Sequence, residues 1–157
     1  MDKNRLYAGV GSRKTPPTIL RRMTELAQQF AKRNWTLRSG GAEGADLAFE
    51  AGASHKEIYR ASDATPAAIE MAAKYHPAWD RCSPFVRKLH GRNNMIMLGK
   101  DLTVPVKMVI CWTPGGLSSG GTGQAIRVAQ AHDIPVVDMG SRVGLQQVLD
   151  KLDEWTS

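Results

Sequence analysis

The chain has 157 residues, of which 42% are hydrophobic and 23% charged, with 21 Lys and Arg against 15 Asp and Glu for a formal charge of +6. That balance excludes a disordered chain, and at this length folding buries roughly two-thirds of the extended chain's surface, enough for a core without staples. No apolar run approaches the roughly 18 residues of a membrane helix, and the opening MDKNRLYAGVGSR carries no signal-peptide stretch. Cys82 and Cys111 stand far apart and form no C-x-x-C pair, so disulfides are not expected and a reducing cytoplasm fits. One domain over residues 1–157 is the expectation.

The charge is uneven. Residues 1–60 hold 11 basic against 6 acidic side chains, residues 61–100 hold 6 against 3, and residues 101–157 hold 4 against 6. A basic first two-thirds suits an anionic partner, whether nucleotide, nucleic acid or phosphate, although a solvated basic surface gives the same arithmetic. No run of five like charges marks a nucleic-acid arm.

In chain order, Leu6-Tyr7-Ala8-Gly9-Val10 is a short apolar strand. A helix follows with Ile19, Leu20, Met23, Leu26, Ala27, Phe30 and Ala31 at helical spacing, and with Thr15 expected as its cap. Trp35–Ser39 forms a second strand, residues 43–52 a short helix, and Glu57–Arg60 a weaker third strand. Residues 66–75 and 84–98 read as helices divided by His76-Pro77. Val106–Trp112 is the most apolar strand, residues 122–132 a helix, and Ile134–Asp138 a fifth strand. Leu145, Val148, Leu149, Leu152 and Trp155 mark an amphipathic last helix.

Strands alternating with helices predict an α/β fold: a doubly wound, Rossmann-like, five-stranded parallel sheet of order 3-2-1-4-5. In such sheets ligands bind beyond the carboxyl ends of the strands, where the winding reverses. The loops after strands one, two and four are therefore expected to carry the chemistry. They run through Gly11-Ser12-Arg13, through Ser39-Gly40-Gly41-Ala42-Glu43-Gly44-Ala45-Asp46, and from Thr113-Pro114 to Ser119-Gly120-Gly121-Thr122-Gly123-Gln124. Nine of the 15 glycines fall in them.

Glycine turns that feed a helix expose backbone N–H groups and the positive end of the helix dipole. Gly120–Gly123, with the Ser119 and Thr122 hydroxyls, is thus a candidate phosphate cradle, and Arg13 beside Ser12 a charge-assisted contact. Asp46 in a first helical turn is favoured by the dipole alone; a ribose partner or a loop-organising acceptor are the alternatives. Glu43, Asp46 and Glu50 are candidates for acid or base in a glycosidic cleavage. Between Tyr75 and Asn94 aromatics interleave with cations, which suits stacking on a base; Trp79, Arg92 and Asn93 are the expected pocket residues there.

Other chemistries are disfavoured. Lys14 stands where a dinucleotide fingerprint needs its third glycine, and no Walker loop occurs. The four histidines (55, 76, 90 and 132) show no ligand spacing, so neither a metal nor a cofactor is expected. Cys111 reads as inert core.

The three glycine loops together resemble the SLOG superfamily, which includes the DNA-processing protein A (DprA) family, the LOG phosphoribohydrolases and molybdenum-cofactor carriers. The resemblance covers nearly the whole chain. It is nearest to small single-domain DprA-like proteins of phage genomes, including the stretch from Arg92-Asn93 to Cys111-Trp112-Thr113-Pro114. It implies a nucleotide or nucleotide-derived ligand at the loops. Members hydrolyse N-glycosidic bonds, bind single-stranded DNA, or sense signalling nucleotides such as cyclic ADP-ribose derivatives. Two departures matter. The LOG motif P-G-G-x-G-T-x-x-E ends in a catalytic glutamate, whereas Gly120-Gly121-Thr122-Gly123-Gln124 is followed here by Ala125-Ile126-Arg127. DprA proteins usually add a helical domain and a histidine soon after the aspartate; here Phe49-Glu50 occupies that region.

The resemblance also implies a homodimer or higher homo-oligomer, for which Trp155 or Met97 are candidate contacts. The leading expectation is a protein that holds a nucleotide-like small molecule, with sequestration of a signalling nucleotide as one role it could serve. The alternatives are a nucleoside 5′-monophosphate N-glycosidase and a single-stranded DNA binder.

Overall fold

The structure is a computed structural model that describes residues 4–156, except the side chains of Leu152, Trp155 and Thr156. Five short strands form one parallel sheet: β1 (Leu6–Gly9), β2 (Thr36–Ser39), β3 (His55–Ile58), β4 (Met108–Cys111) and β5 (Val136–Asp138). Their order is β3-β2-β1-β4-β5, as the alternation of strands and helices predicts. The register pairs Tyr7 with both Leu37 and Met108, so β1 lies at the centre. Six helices connect and cover the sheet: α1 (Pro17–Lys32), α2 (Ala45–Gly52), α3 (Pro66–Tyr75), α4 (Pro84–Leu98), α5 (Gly120–Ala131) and α6 (Arg142–Thr156).

Strand side chains alternate between faces, and each face has its own core. Tyr7, Leu37 and Ile110 point into a layer with Met23, Leu26 and Phe30 of α1, Phe49 of α2 and Val148 of α6. Here the Tyr7 and Phe30 rings stack with centroids 4.0 Å apart, and Trp35 meets Phe30 edge-on at 5.3 Å. Ala8, Val109 and Cys111 face the other way, against Ile96, Met97 and Leu98 of α4 and Ala125, Val128 and Ala129 of α5. Cys82 and Cys111 are both free thiols. No helix among the described residues is long and apolar enough to cross a membrane.

Several local expectations are corrected. Thr15 does not cap α1: the N-cap is Pro16 and no side chain fills that role, because the Thr15 hydroxyl instead donates to the Ser12 carbonyl at 2.6 Å. The third strand begins at His55 rather than Glu57; its first two residues are exposed at a sheet edge and show no apolar alternation. α5 begins at Gly120, ahead of the expected residue 122, since two glycines hide the first turn from any propensity argument. Met97 is fully buried in the α4–α5 layer and presents no surface to a second copy. The side chains of Leu152 and Trp155 lie outside the described ones.

Candidate functional site

The loops leaving β1, β2 and β4 meet at one edge of the sheet. Gly11, Ser12 and Arg13 follow β1, Gly40, Ala42 and Asp46 follow β2, and Pro114 and Ser119–Thr122 follow β4; all line a single cleft of about 750 Å³. The Ser12 N–H ties the first loop to the end of β4 by donating to the Trp112 carbonyl at 3.1 Å, and within the loop the Thr15 N–H donates to the Ser12 carbonyl at 3.2 Å. The second loop folds around Asp46, whose Oδ2 accepts from the N–H groups of Gly40 (3.2 Å) and Ala42 (3.3 Å). Gly44 turns the chain with a φ of +88°, and its Cα lies so close to the Arg13 backbone that a Cβ would be 3.0 Å from it. The first two loops therefore pack as one unit.

The third loop is organised by β5. Asp138 accepts from the Thr113 N–H at 3.0 Å and from the Thr113 hydroxyl, and that hydroxyl oxygen accepts from the Ser118 N–H at 3.0 Å. Thr113 is fully buried in this arrangement. What it positions is the start of α5. Ser119 is the N-cap but makes no side-chain cap, so the first N–H groups of a twelve-residue helix point outward without intrahelical acceptors. A Cβ built on Gly120 or Gly121 would meet nothing within 4 Å. Backbone amides at this corner are open to a ligand.

The far wall comes from α4 and the chain after β3. Phe85, Val86, Leu89, His90, Arg92 and Asn93 line it, with Arg60 and Ala61 beside them. The Arg92 guanidinium reaches across to the strand ends, where Nη1 donates to the carbonyls of Gly40 (2.9 Å) and Tyr59 (3.1 Å). Its Nε is buried with no partner. Arg13, Lys14, Arg60 and Arg92 oppose a single lining carboxylate, Asp46. Burial pushes the Asp46 carboxyl up to about 6, against the opposing pull of the Ala42, Gly40 and Gly11 N–H groups and Arg92. Burial, helped by nearby His76 and arginines, lowers His90 to about 4, so its imidazole is neutral at pH 7.

Some of the residues singled out by sequence stand elsewhere. Glu43 is exposed and Glu50 forms an ion pair with Lys56 at 3.2 Å; neither lines the cleft. The Ser39 hydroxyl is buried and donates to the Gly9 carbonyl at 2.6 Å. Gly41 lies against the Arg60 guanidinium and Gly123 against the Ser118 carbonyl, and neither lines the cleft. Gln124 is fully buried, donating to the Ala72 carbonyl at 3.4 Å and accepting from Arg127 at 2.8 Å. Trp79 packs away from the cleft, under the Arg87 guanidinium at 4.9 Å.

Lys14, Arg60, Val86 and Leu89 also line the cleft although nothing in the sequence singled them out, and Phe85 and His90 do so from within the Tyr75–Asn94 stretch of aromatics and cations. Arg60 follows the end of β3, the same kind of position as the three loops singled out. Phe85, Leu89 and Arg92 share one α4 face by three- and four-residue spacing. His76, Cys82 and His90 share no ligand spacing in sequence, but their ligand atoms lie within 4.8 Å of one another.

No protein family matches the chain, and no curated protein is similar to it in sequence. Its fold is similar to that of DNA processing protein A from Helicobacter pylori, with a TM-score of 0.61 and 16% sequence identity over 98% of this chain and 79% of that one. That protein's structure is described for its single-stranded DNA binding mode. The five-stranded parallel sheet with its flanking helices is a Rossmann-like α/β fold shared with that protein.

Proposed function

We propose that this chain is one nucleotide-binding domain whose cleft holds a nucleotide or nucleotide-derived small molecule without cleaving it. The observation that carries this reading is the meeting of three loops and the α5 N-terminus around one cleft that has four cations and one carboxylate. A cleft of about 750 Å³ falls within the range of small-molecule sites. The phosphate belongs at Gly120–Thr122, where free N–H groups and the helix dipole favour an anion, with Arg13 as the charged partner. The base belongs against Phe85, Val86 and Leu89, whose apolar surface desolvates a ring.

Holding is favoured over turnover because of the carboxylates. Glycosidic hydrolysis needs an acid or base beside the anomeric carbon. Asp46, the one acid lining the cleft among the described residues, is 5% exposed and its Oδ2 holds the second loop through the N–H groups of Gly40 and Ala42. Sequestration of a signalling nucleotide is a role such a protein would serve.

Titration calorimetry with nucleoside 5′-monophosphates, dinucleotides and cyclic ADP-ribose isomers tests the reading, with Gly121→Val as the control variant. A Cβ at position 121 meets open space, so valine fills the phosphate corner while the fold stands. Binding by the wild type and its loss in the variant are expected. Equal heats in both proteins, or none at submillimolar ligand, refute it.

A second reading, single-stranded DNA, is favoured by the likeness to DNA processing protein A and by the basic first 100 residues. Its signature is affinity that grows with oligonucleotide length and falls steeply with salt.

A further inference from the structure

We propose that His76, Cys82 and His90 form a binding site for a zinc-class divalent cation beneath the α4 wall of the cleft. The chain from the end of α3 through a short helical turn at Trp79–Arg81 doubles back on α4. That return brings the His76 and His90 rings to a centroid separation of 4.7 Å. The Cys82 Sγ sits 3.7 Å from His76 Nε2 and 3.9 Å from Nδ1. Tetrahedral zinc, with bonds of about 2.0 Å to nitrogen and 2.3 Å to sulfur, sets its ligand atoms about 3.5 Å apart. The Cys82–His76 pair already has that spacing, and His90 closes the triangle within 4.8 Å.

The state of His90 points the same way. Its residue is only 7% exposed, yet Nδ1 is buried without a hydrogen-bond partner. A buried imidazole nitrogen in that condition lacks an interaction that a metal ion supplies. His76 is half-buried, and its Nδ1 accepts from the Ala78 N–H at 3.0 Å. Ligation through Nδ1 gives up that one hydrogen bond; ligation through Nε2 moves the ring proton to Nδ1 and also loses it. The donor set selects the ion. Two imidazoles and a thiol suit zinc and cobalt, whereas magnesium and calcium need oxygen ligands the cluster lacks. Three protein ligands leave a fourth position for water. Because Phe85, Val86 and Leu89 follow directly on this turn, the bound ion fixes the wall on which the base is proposed to rest.

The full chain, stripped with chelator and desalted, is loaded with Zn²⁺ and separately with Co²⁺. The expected results are a metal-to-chain ratio near unity after gel filtration, a melting temperature that rises with Zn²⁺, and a cobalt spectrum with tetrahedral d–d and thiolate charge-transfer bands. Cys82→Ser loses the charge-transfer band and His76→Gln loses stoichiometric metal, while Gly121→Val keeps both, which separates this site from the nucleotide reading. A wild type that retains no metal, or a cobalt spectrum without a thiolate band and unchanged in Cys82→Ser, overturns the proposal. If both ligand variants unfold, alkylation of wild-type Cys82 decides: protection by Zn²⁺ supports the site, and an equal rate with and without Zn²⁺ overturns it.

Discussion

Replacing Asp46 by Asn tests how the second loop is held. Asp46 is 5% exposed and the titration of its carboxyl is pushed from the ordinary 3.8 to about 6, chiefly by burial. Below pH 3.8 the group is protonated in folded and unfolded chains alike. Between the two values the folded chain keeps a proton that the unfolded chain has released, so stability falls as pH rises. Above 6 both states are ionised and the full cost stands, about 3 kcal/mol from a shift of this size. Of that, about 2 kcal/mol develops between pH 4 and pH 7.

Asparagine is close to isosteric, still offers an oxygen to the Gly40 and Ala42 N–H groups, and does not titrate in this range. Any change it causes in shape is independent of pH. Urea unfolding of both proteins across pH 4–7 isolates the effect, since other titrating groups, His90 included, cancel in the difference. The variant is expected to gain about 2 kcal/mol on the wild type over that interval. A wild type that gains on the variant with rising pH refutes the reasoning: the backbone donors and Arg92 would then outweigh desolvation.

Further outcomes follow from other sites. Tyr7 is 1% exposed and its hydroxyl has no partner, so Tyr7→Phe is expected to stabilise the fold by about 1 kcal/mol, measured by urea titration. Phe30→Ala removes a fully buried ring stacked on Tyr7, and its expected cost is about 3–5 kcal/mol by the same measurement. Affinity for a phosphodiester nucleotide, whose own charge is fixed, is expected to rise as pH falls through 6, because protonation of Asp46 removes the one lining carboxylate charge; calorimetry at pH 5 and pH 7 reads this. Arg13→Ala weakens phosphate binding and flattens its salt dependence without altering the melting temperature, since the side chain is exposed.

The architecture was legible because it rests on strong local signals. Residues 66–75 and 84–98 match α3 and α4, each opening on a proline at a first helical position and each following a hydroxyl cap, Thr65 and Ser83. The fully apolar β4 and the glycine loops placed the switch point of the sheet. What sequence missed depends on contacts between distant segments. Gln124 groups in sequence with the glycines as a ligand contact, but it lies in the second turn of α5, which starts at Gly120, and is turned inward to Ala72. Trp79 carries the composition of a stacking platform, yet the 3-10 turn that contains it folds it onto Arg87 and the histidines. His76, Cys82 and His90 have irregular spacing because a return of the chain, and not a helix or ribbon, brings them together.

The most direct test follows backbone amide resonances while a nucleoside 5′-monophosphate is added to the isotope-labelled chain. A shared anion site at the sheet edge predicts that Gly11–Arg13, Gly40–Ala42 and Ser119–Thr122 shift together along one saturating curve. Shifts scattered over the basic surface, or confined to one of the three loops, would contradict it.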